Sequence, residues 1–245
     1  MQPQTILILI LIITFVSYVF DQLLDLINLK SQRMDIPKEI ESFYEKEKYL
    51  KSLAYNRERT KFSFLTSAFG FLLSASMLLF GGFGWLDILL RTYIENEILL
   101  ALVFFGILML ASDILTIPFQ LYSIFVIEEK YGFNKTTIKT FITDKLKGYA
   151  LGAIVGGGLL SLLIYLVLAI GPSFWIWFSI IAAVFILFIN MFYTSLILPL
   201  FNKLTPLQDG ELKAAIENFS RKVNFPLDNI FIIDGSKRSK KANAF

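Results

Sequence analysis

The sequence predicts an all-α multi-pass membrane protein with about five transmembrane helices, surface amphipathic helices, and the start of a small cytoplasmic α/β portion. Three observations predict it. Hydrophobic residues make up 56% of the 245, and the mean hydropathy of +0.64 lies far above that of a globular chain. Five apolar runs each approach or exceed the roughly 20 residues that carry a helix across a bilayer. The basic residues fall almost wholly on alternate connecting segments.

The runs are Thr5 to Phe20, which can extend through Leu29, then Phe62 to Leu86, Ile98 to Ile127, Gly148 to Ile170 and Phe174 to Phe201. If each crosses once, Asp21 to Lys61 with nine Lys and Arg, Glu128 to Lys147 with five, and the tail from Asn202 with eight share one side. Only Arg91 is left for the other. The positive-inside rule then places the N-terminus outside and the C-terminus in the cytoplasm. Met1 to Gln4 carries no basic n-region and no small-residue cleavage site follows, so the first run reads as a retained span.

Charge in cytoplasmic loops follows from topology, and a nucleic-acid partner is not expected. Zero cysteines exclude disulfides, thiolate catalysis and Cys-ligated zinc. Zero histidines exclude a Ser-His or Cys-His relay and a His-zinc site built from this chain.

Between the first two runs, Ile40, Phe43, Tyr44, Leu50, Leu53 and Ala54 recur near helical spacing behind Pro37, predicting an amphipathic helix that feeds the second span. The third run, about 45 Å if wholly helical, holds Asp113 near its middle and Pro118 beyond it, which implies a kink or tilt. A carboxylate at that depth is costly unless protonated, paired or facing a wet cavity, so it reads either as a functional group or as a neutral Asp bonded to a neighbouring helix. Gly132 suits a helix stop at positive φ, and Asn134 an N-cap for a surface helix over Lys135 to Lys147. Glu128 and Glu129 read as a solvated pair.

The fourth run opens with Gly148, Gly152 and Gly156 at four-residue spacing, followed by Gly157 and Gly158. Such a stripe predicts close helix packing. Gly171-Pro172-Ser173 turns the fourth and fifth runs into an antiparallel hairpin, and Asn190, Thr194 and Ser195 read as interhelical hydrogen-bonding groups or a cavity lining. In the tail, Thr205-Pro206-Leu207-Gln208 has the form of a capping box, with Asp209 a rival cap, for a helix striped by Leu212, Ala215, Ile216, Phe219 and Val223. Asn224-Phe225-Pro226 ends that helix. Asn229 to Ile233 suits a buried strand, Gly235 to Arg238 a turn, and Asn243 the start of a second strand. One helix and about one and a half strands are too little for an independent core, so the tail reads as a domain interrupted near its start.

The chain resembles the CAAX prenyl protease type 1 family of integral-membrane zinc metalloendopeptidases. The residues that carry the likeness are Leu198-Pro199-Leu200-Phe201-Asn202-Lys203-Leu204-Thr205-Pro206-Leu207, Gly210-Glu211-Leu212, Asp234-Gly235-Ser236-Lys237-Arg238-Ser239 and Asn243-Ala244. Earlier, Glu128-Glu129-Lys130-Tyr131-Gly132-Phe133-Asn134-Lys135 resembles the family's Glu-Lys-x-Gly-Phe-Asn-Lys loop, and Phe62-Ser63-Phe64 the start of its second span. The chain departs from the family at Lys240-Lys241-Ala242, where a Ser-His-Ser is common, and at Phe245, where a Tyr is. The family's HExxH zinc helix and distant Glu ligand are not in this sequence.

The resemblance implies a division of the chain into an N-terminal membrane domain, residues 1–204, and an incomplete start of the peptidase domain, residues 205–245. It implies an edge strand at Asn243 and Ala244 that holds an extended peptide by β-augmentation, and a wet intramembrane chamber against which Asp113 and Asn190 are easier to accommodate. Zinc would belong to the complete family enzyme, with none bound by this chain, which is therefore expected to be inactive alone. The expected partners are the lipid bilayer, a protein or peptide substrate and the downstream peptidase domain. A non-catalytic membrane scaffold and a small transporter are the alternative readings, though no repeat supports the second.

Overall fold

The structure, a computed structural model, describes residues 2–36 and 45–241. Pro37, Ile40, Phe43 and Tyr44 of the expected amphipathic segment lie outside the described residues, as do Asn243 and Ala244. The described chain is helical apart from a small sheet at its C-terminal end, in two compact units, residues 1–132 and 133–245.

In the first unit, α1 (Pro3–Ser31) packs along α2 (Lys46–Leu79), and α3 (Gly82–Arg91) precedes α4 (Glu97–Tyr122), which continues as a π-helical turn over Ser123–Glu128. Lipid is as apolar as leucine, so packing here relies on close contacts and polar links rather than on water exclusion. Tyr18 stacks on Phe71 at 4.6 Å, and Gln22 donates to the Ser67 hydroxyl at 3.1 Å. Phe62 meets Tyr122 and Phe69 meets Phe119, each pair at 4.9 Å. Such ring pairs each contribute about 1 kcal/mol beyond area burial. Pro118 sits inside α4 and gives no N–H to the helix, so the ladder is broken one turn before the π segment.

The second apolar run does not continue as one helix to Leu86. It stops at Leu79, Gly81 takes φ 68, and α3 starts afresh at Gly82. Hydropathy could not show this, because Phe80 to Leu90 is as apolar as the span before it. The break lies in backbone geometry, which a left-handed glycine permits.

In the second unit, α5 (Ile138–Leu151) passes through a π turn at Gly152–Gly156 into α6 (Gly157–Ile170). A 3-10 turn at Gly171–Ser173, with Gly171 at φ 65, folds α7 (Phe174–Phe192) back on α6, and this is the expected hairpin. A third π turn at Tyr193–Ile197 precedes α8 (Leu198–Phe201), where Pro199 cannot donate to the carbonyl of Ser195. Because α5 to α8 run on without a non-helical break, four apolar helical stretches are long enough to cross a membrane, and the last, Ile138–Phe201, doubles back.

The glycine stripe is not used as its spacing suggested. A Cβ added at Gly148, Gly152, Gly156 or Gly158 would meet nothing within 4 Å, so no described helix presses on it. The stripe instead coincides with the π turn at Gly152–Gly156.

The tail differs from expectation at two elements: the strand at Phe231–Ile233 forms but is not buried, with Phe231 and Ile232 about half exposed, and the capping box is not one. Thr205 and Pro206 do not cap a helix: β1 (Leu204–Pro206) pairs antiparallel with β2 (Phe231–Ile233) in the register Leu204↔Ile233, Thr205↔Ile232, Pro206↔Phe231. Long-range pairing overrides a local capping pattern, and Pro206 is tolerated because the strand is short and at an edge. α9 (Glu211–Lys222) follows from an N-cap at Gly210, with Asp209 paired to Lys213 at 2.7 Å, and it ends at Asn224, which takes φ 53.

Candidate functional site

The residues leading to Asn243 and Ala244 form the candidate site, and one side chain organises them. The Arg238 guanidinium gives two hydrogen bonds to Asp144 on α5, from Nε at 2.6 Å and Nη2 at 2.8 Å. It also donates to the Asn202 amide oxygen at 2.7 Å and the Phe201 carbonyl at 2.8 Å, just beyond α8. Arg238 and Asp144 are 27% and 25% exposed, so the forked pair is half withdrawn from water, where such geometry is strongest. The Asp144 carboxylate is the main cause of a raised Arg238 pKa.

Backbone pairing completes the arrangement. Asn134 and Ser239 form an antiparallel bridge, with Lys135 N–H donating to the Arg238 carbonyl and Lys240 N–H to the Phe133 carbonyl, both at 3.0 Å. The Thr136 hydroxyl donates to the same Arg238 carbonyl at 3.1 Å, and the Lys241 ammonium lies 4.9 Å over the Phe133 ring. Below it, Asp234 accepts from Lys237 and from the Lys203 N–H, and these two bonds hold its carboxyl below the ordinary 3.8. The segment from Gly235 to Lys241 thus makes a 3-10 turn over Gly235–Lys237, and one antiparallel bridge at Ser239 then holds it against Asn134.

Two expectations for the region from Glu128 to Lys147 are not met. Asn134 does not cap α5. Its side chain accepts from Thr136 N–H at 2.7 Å, while Thr137 caps the helix by accepting from Thr140 N–H. Glu128 is no solvated carboxylate, since the Tyr55 hydroxyl donates to it, and the neighbouring Glu58 receives Lys130 at 2.7 Å and Tyr131 at 2.8 Å.

Each intramembrane candidate has a hydrogen-bond partner within its own helix. Gln120 donates to Asp113 at 3.2 Å and to Thr116 at 3.0 Å. Asn190 donates to the Ile186 carbonyl at 2.8 Å, one turn back. Gln120 and Thr116 lie at helical spacing from Asp113 and were legible as its neighbours, whereas the pairing of Arg238 with Asp144 was not, because 94 residues separate them.

Residues 25–203 match the family model described as "CAAX prenyl protease N-terminal, five membrane helices". The chain belongs to the CAAX prenyl protease family. It is 39% identical to the CAAX prenyl protease 1 homolog of Arabidopsis thaliana, over 94% of this chain and 56% of that protein. It is 35% identical to CAAX prenyl protease 1 of Saccharomyces cerevisiae, over 88% and 50%. The crystal structure of S. mikatae Ste24p superposes with a TM-score of 0.88 at 31% identity, covering all of this chain and 58% of that one. The chain thus spans a little over half the length of these relatives, and it matches their membrane region.

The family is one of metalloproteases, but this chain does not offer the donors that zinc takes. It has no histidine or cysteine, and no group of three carboxylates among the described residues converges on a point. Asp144 and Glu58 are already engaged by cations. The set present does not fit a zinc ion, and no chemical step is derived through one.

Proposed function

We propose that this chain is the N-terminal membrane module of a CAAX-protease-like zinc metalloendopeptidase acting on prenylated or membrane-associated proteins. Residues 1–204 form the membrane domain and residues 205–245 belong to the peptidase domain. The observation that carries the reading is the Arg238 clamp, because with the bridge at Ser239 it holds the segment up to Lys241, which precedes Asn243 and Ala244 in the sequence, against Phe133 to Lys135. Those two residues bind the peptide substrate through main-chain hydrogen bonds in the manner of an added strand. Zinc and the proton-transferring carboxylate come from residues other than those in this sequence. The basic segments set the N-terminus outside and the C-terminus in the cytoplasm. Asp113 and Asn190 serve as intramembrane polar groups with no assigned catalytic task.

The test joins residues 1–245 to the remaining part of the Arabidopsis thaliana relative and measures zinc content and cleavage of a farnesylated CAAX peptide. The chimera should bind stoichiometric zinc and cleave. Within it, Asn243→Ala and Ala244→Pro should lower kcat/KM about tenfold or more with zinc content unchanged, Ala244→Pro by deleting a main-chain donor. Zinc binding with cleavage by residues 1–245 alone would sink the reading, as would a chimera indifferent to both substitutions.

A further inference from the structure

The helix that hydropathy concealed, α3, has two apolar faces, and only one is covered by protein. Leu86 and Leu90 are buried with Leu100 of α4, and Ile94, Val103, Phe104 and Leu108 pack against that trio. Leu108 lies eleven residues past the start of α4, about 16 Å along its axis at 1.5 Å per residue. So α3 does not stand off in water above the spans. It lies folded against the first turns of a membrane helix.

Around the helix from that covered face come Trp85 at 66% and Ile88 at 69% exposed, and Phe80 and Tyr93 flank α3 at 86% and 81%. The charges gather on the remaining side, where Arg91 donates to Asp87 at 3.0 Å and to Glu97 at 2.8 Å, closing a polar clasp between the end of α3 and the first residue of α4. One covered apolar face, one open apolar face carrying a Trp and a self-neutralised polar edge are what a helix needs to lie in the plane of a bilayer interface.

Depth agrees with this. The apolar part of α2, Phe62 to Leu79, is about 27 Å long, close to the thickness of the hydrocarbon core, so the chain reaches the far interface where α3 begins. The helices on either side of α3 also expose large apolar side chains, Leu72 and Leu79 on α2 and Leu99 and Phe105 on α4.

We propose that α3 is a monotopic lipid anchor. Its Trp85 and Ile88 face inserts among the upper acyl chains of the leaflet opposite the basic segments, with the Asp87–Arg91–Glu97 clasp at headgroup level. The occupant of this face is lipid, not a second protein. The inference depends on membrane insertion alone and not on which side is cytoplasmic or on any proteolysis.

The chain has no cysteine, so single replacements can be read without background. In phosphatidylcholine vesicles, Gly84→Cys, on the polar side where an added Cβ meets nothing within 4 Å, should react with a membrane-impermeant maleimide applied to both sides. Ile88→Cys should react at least tenfold more slowly and equal Gly84→Cys once the protein is denatured. With Trp175→Phe and Trp177→Phe leaving Trp85 as the sole indole, lipids brominated near the glycerol should quench its fluorescence more than lipids brominated near the chain ends. Equal labelling at 84 and 88 would overturn the proposal. So would an Ile88→Cys that is protected while Trp85 is quenched by no brominated lipid, because a protein surface would then cover the face.

Discussion

The polar groups inside the membrane and those around Arg238 differ in where their partners come from. Asp113 is met by Gln120 on its own helix and Asn190 by a carbonyl one turn back. Arg238 gathers Asp144, Asn202 and the Phe201 carbonyl from elements 94, 36 and 37 residues away. Bonds of the first kind offset a desolvation penalty within one helix. The second joins α5, the end of α8 and the turn at Gly235 to Ser239 into one geometry, so it is where positional information resides. A polar residue buried in an apolar span invites a functional reading, yet here the better evidence of function is a long-range clamp at the water boundary.

Breaking the clamp should have the largest effect. Asp144→Ala leaves a half-buried guanidinium without its forked partner and should cost the second unit about 3 kcal/mol. Hydrogen exchange should then show lost protection at the Lys135 and Lys240 amides, while α6 and α7 stay protected. Pairing Asp144→Arg with Arg238→Asp should restore part of that protection, and no restoration would mean that the pair does not act as a unit.

Glu58→Gln should come next, with a smaller loss of local protection, because Lys130 loses its ion pair while Tyr131 keeps an acceptor. The readout is faster exchange at the Gly132 amide, which bonds to the Glu129 carbonyl.

Acid should loosen the tail in a narrower window. Asp234 titrates below its ordinary 3.8 in the folded chain, so its stabilisation is complete above 3.8 and is lost as pH falls through the lowered value. Exchange at Lys203 N–H, which Asp234 accepts, should rise below pH 3.8 in the native protein and be independent of pH there in Asp234→Asn after correction for intrinsic rates.

Asp113→Asn should do least, under about 0.5 kcal/mol, since an amide oxygen still accepts from Gln120. A thermal midpoint in detergent that falls by several degrees would show that Asp113 has a partner beyond its own helix and would erase the contrast with Arg238.

Legibility in the sequence follows the same division. The spans, the Gly171-Pro172-Ser173 hairpin, the Gly132 stop and the β2 strand were readable because each depends on local periodicity or on a residue with a special φ. The capping-box reading of Thr205 to Gln208 failed because β1 finds its partner at Phe231 to Ile233, beyond any local window. The glycine stripe was read as a packing face, and only the tertiary structure shows that no described helix meets it. At the candidate site the order of residues from Asp234 to Ser239 marked the place, whereas the agent that fixes the segment, Asp144, sits unremarked in an amphipathic helix.

By itself the sequence determined the solvent of this protein, the number of apolar crossings and the impossibility of a His-ligated zinc within it. Those properties are sums over composition and short-range period, and no fold is needed to evaluate them. The tertiary structure alone decided that Gly82 to Arg91 is a separate helix lying on α4 and that Arg238 and Asp144 meet. Each depends on a few backbone angles or on the closure of a long loop, and neither leaves a periodic trace in the chain.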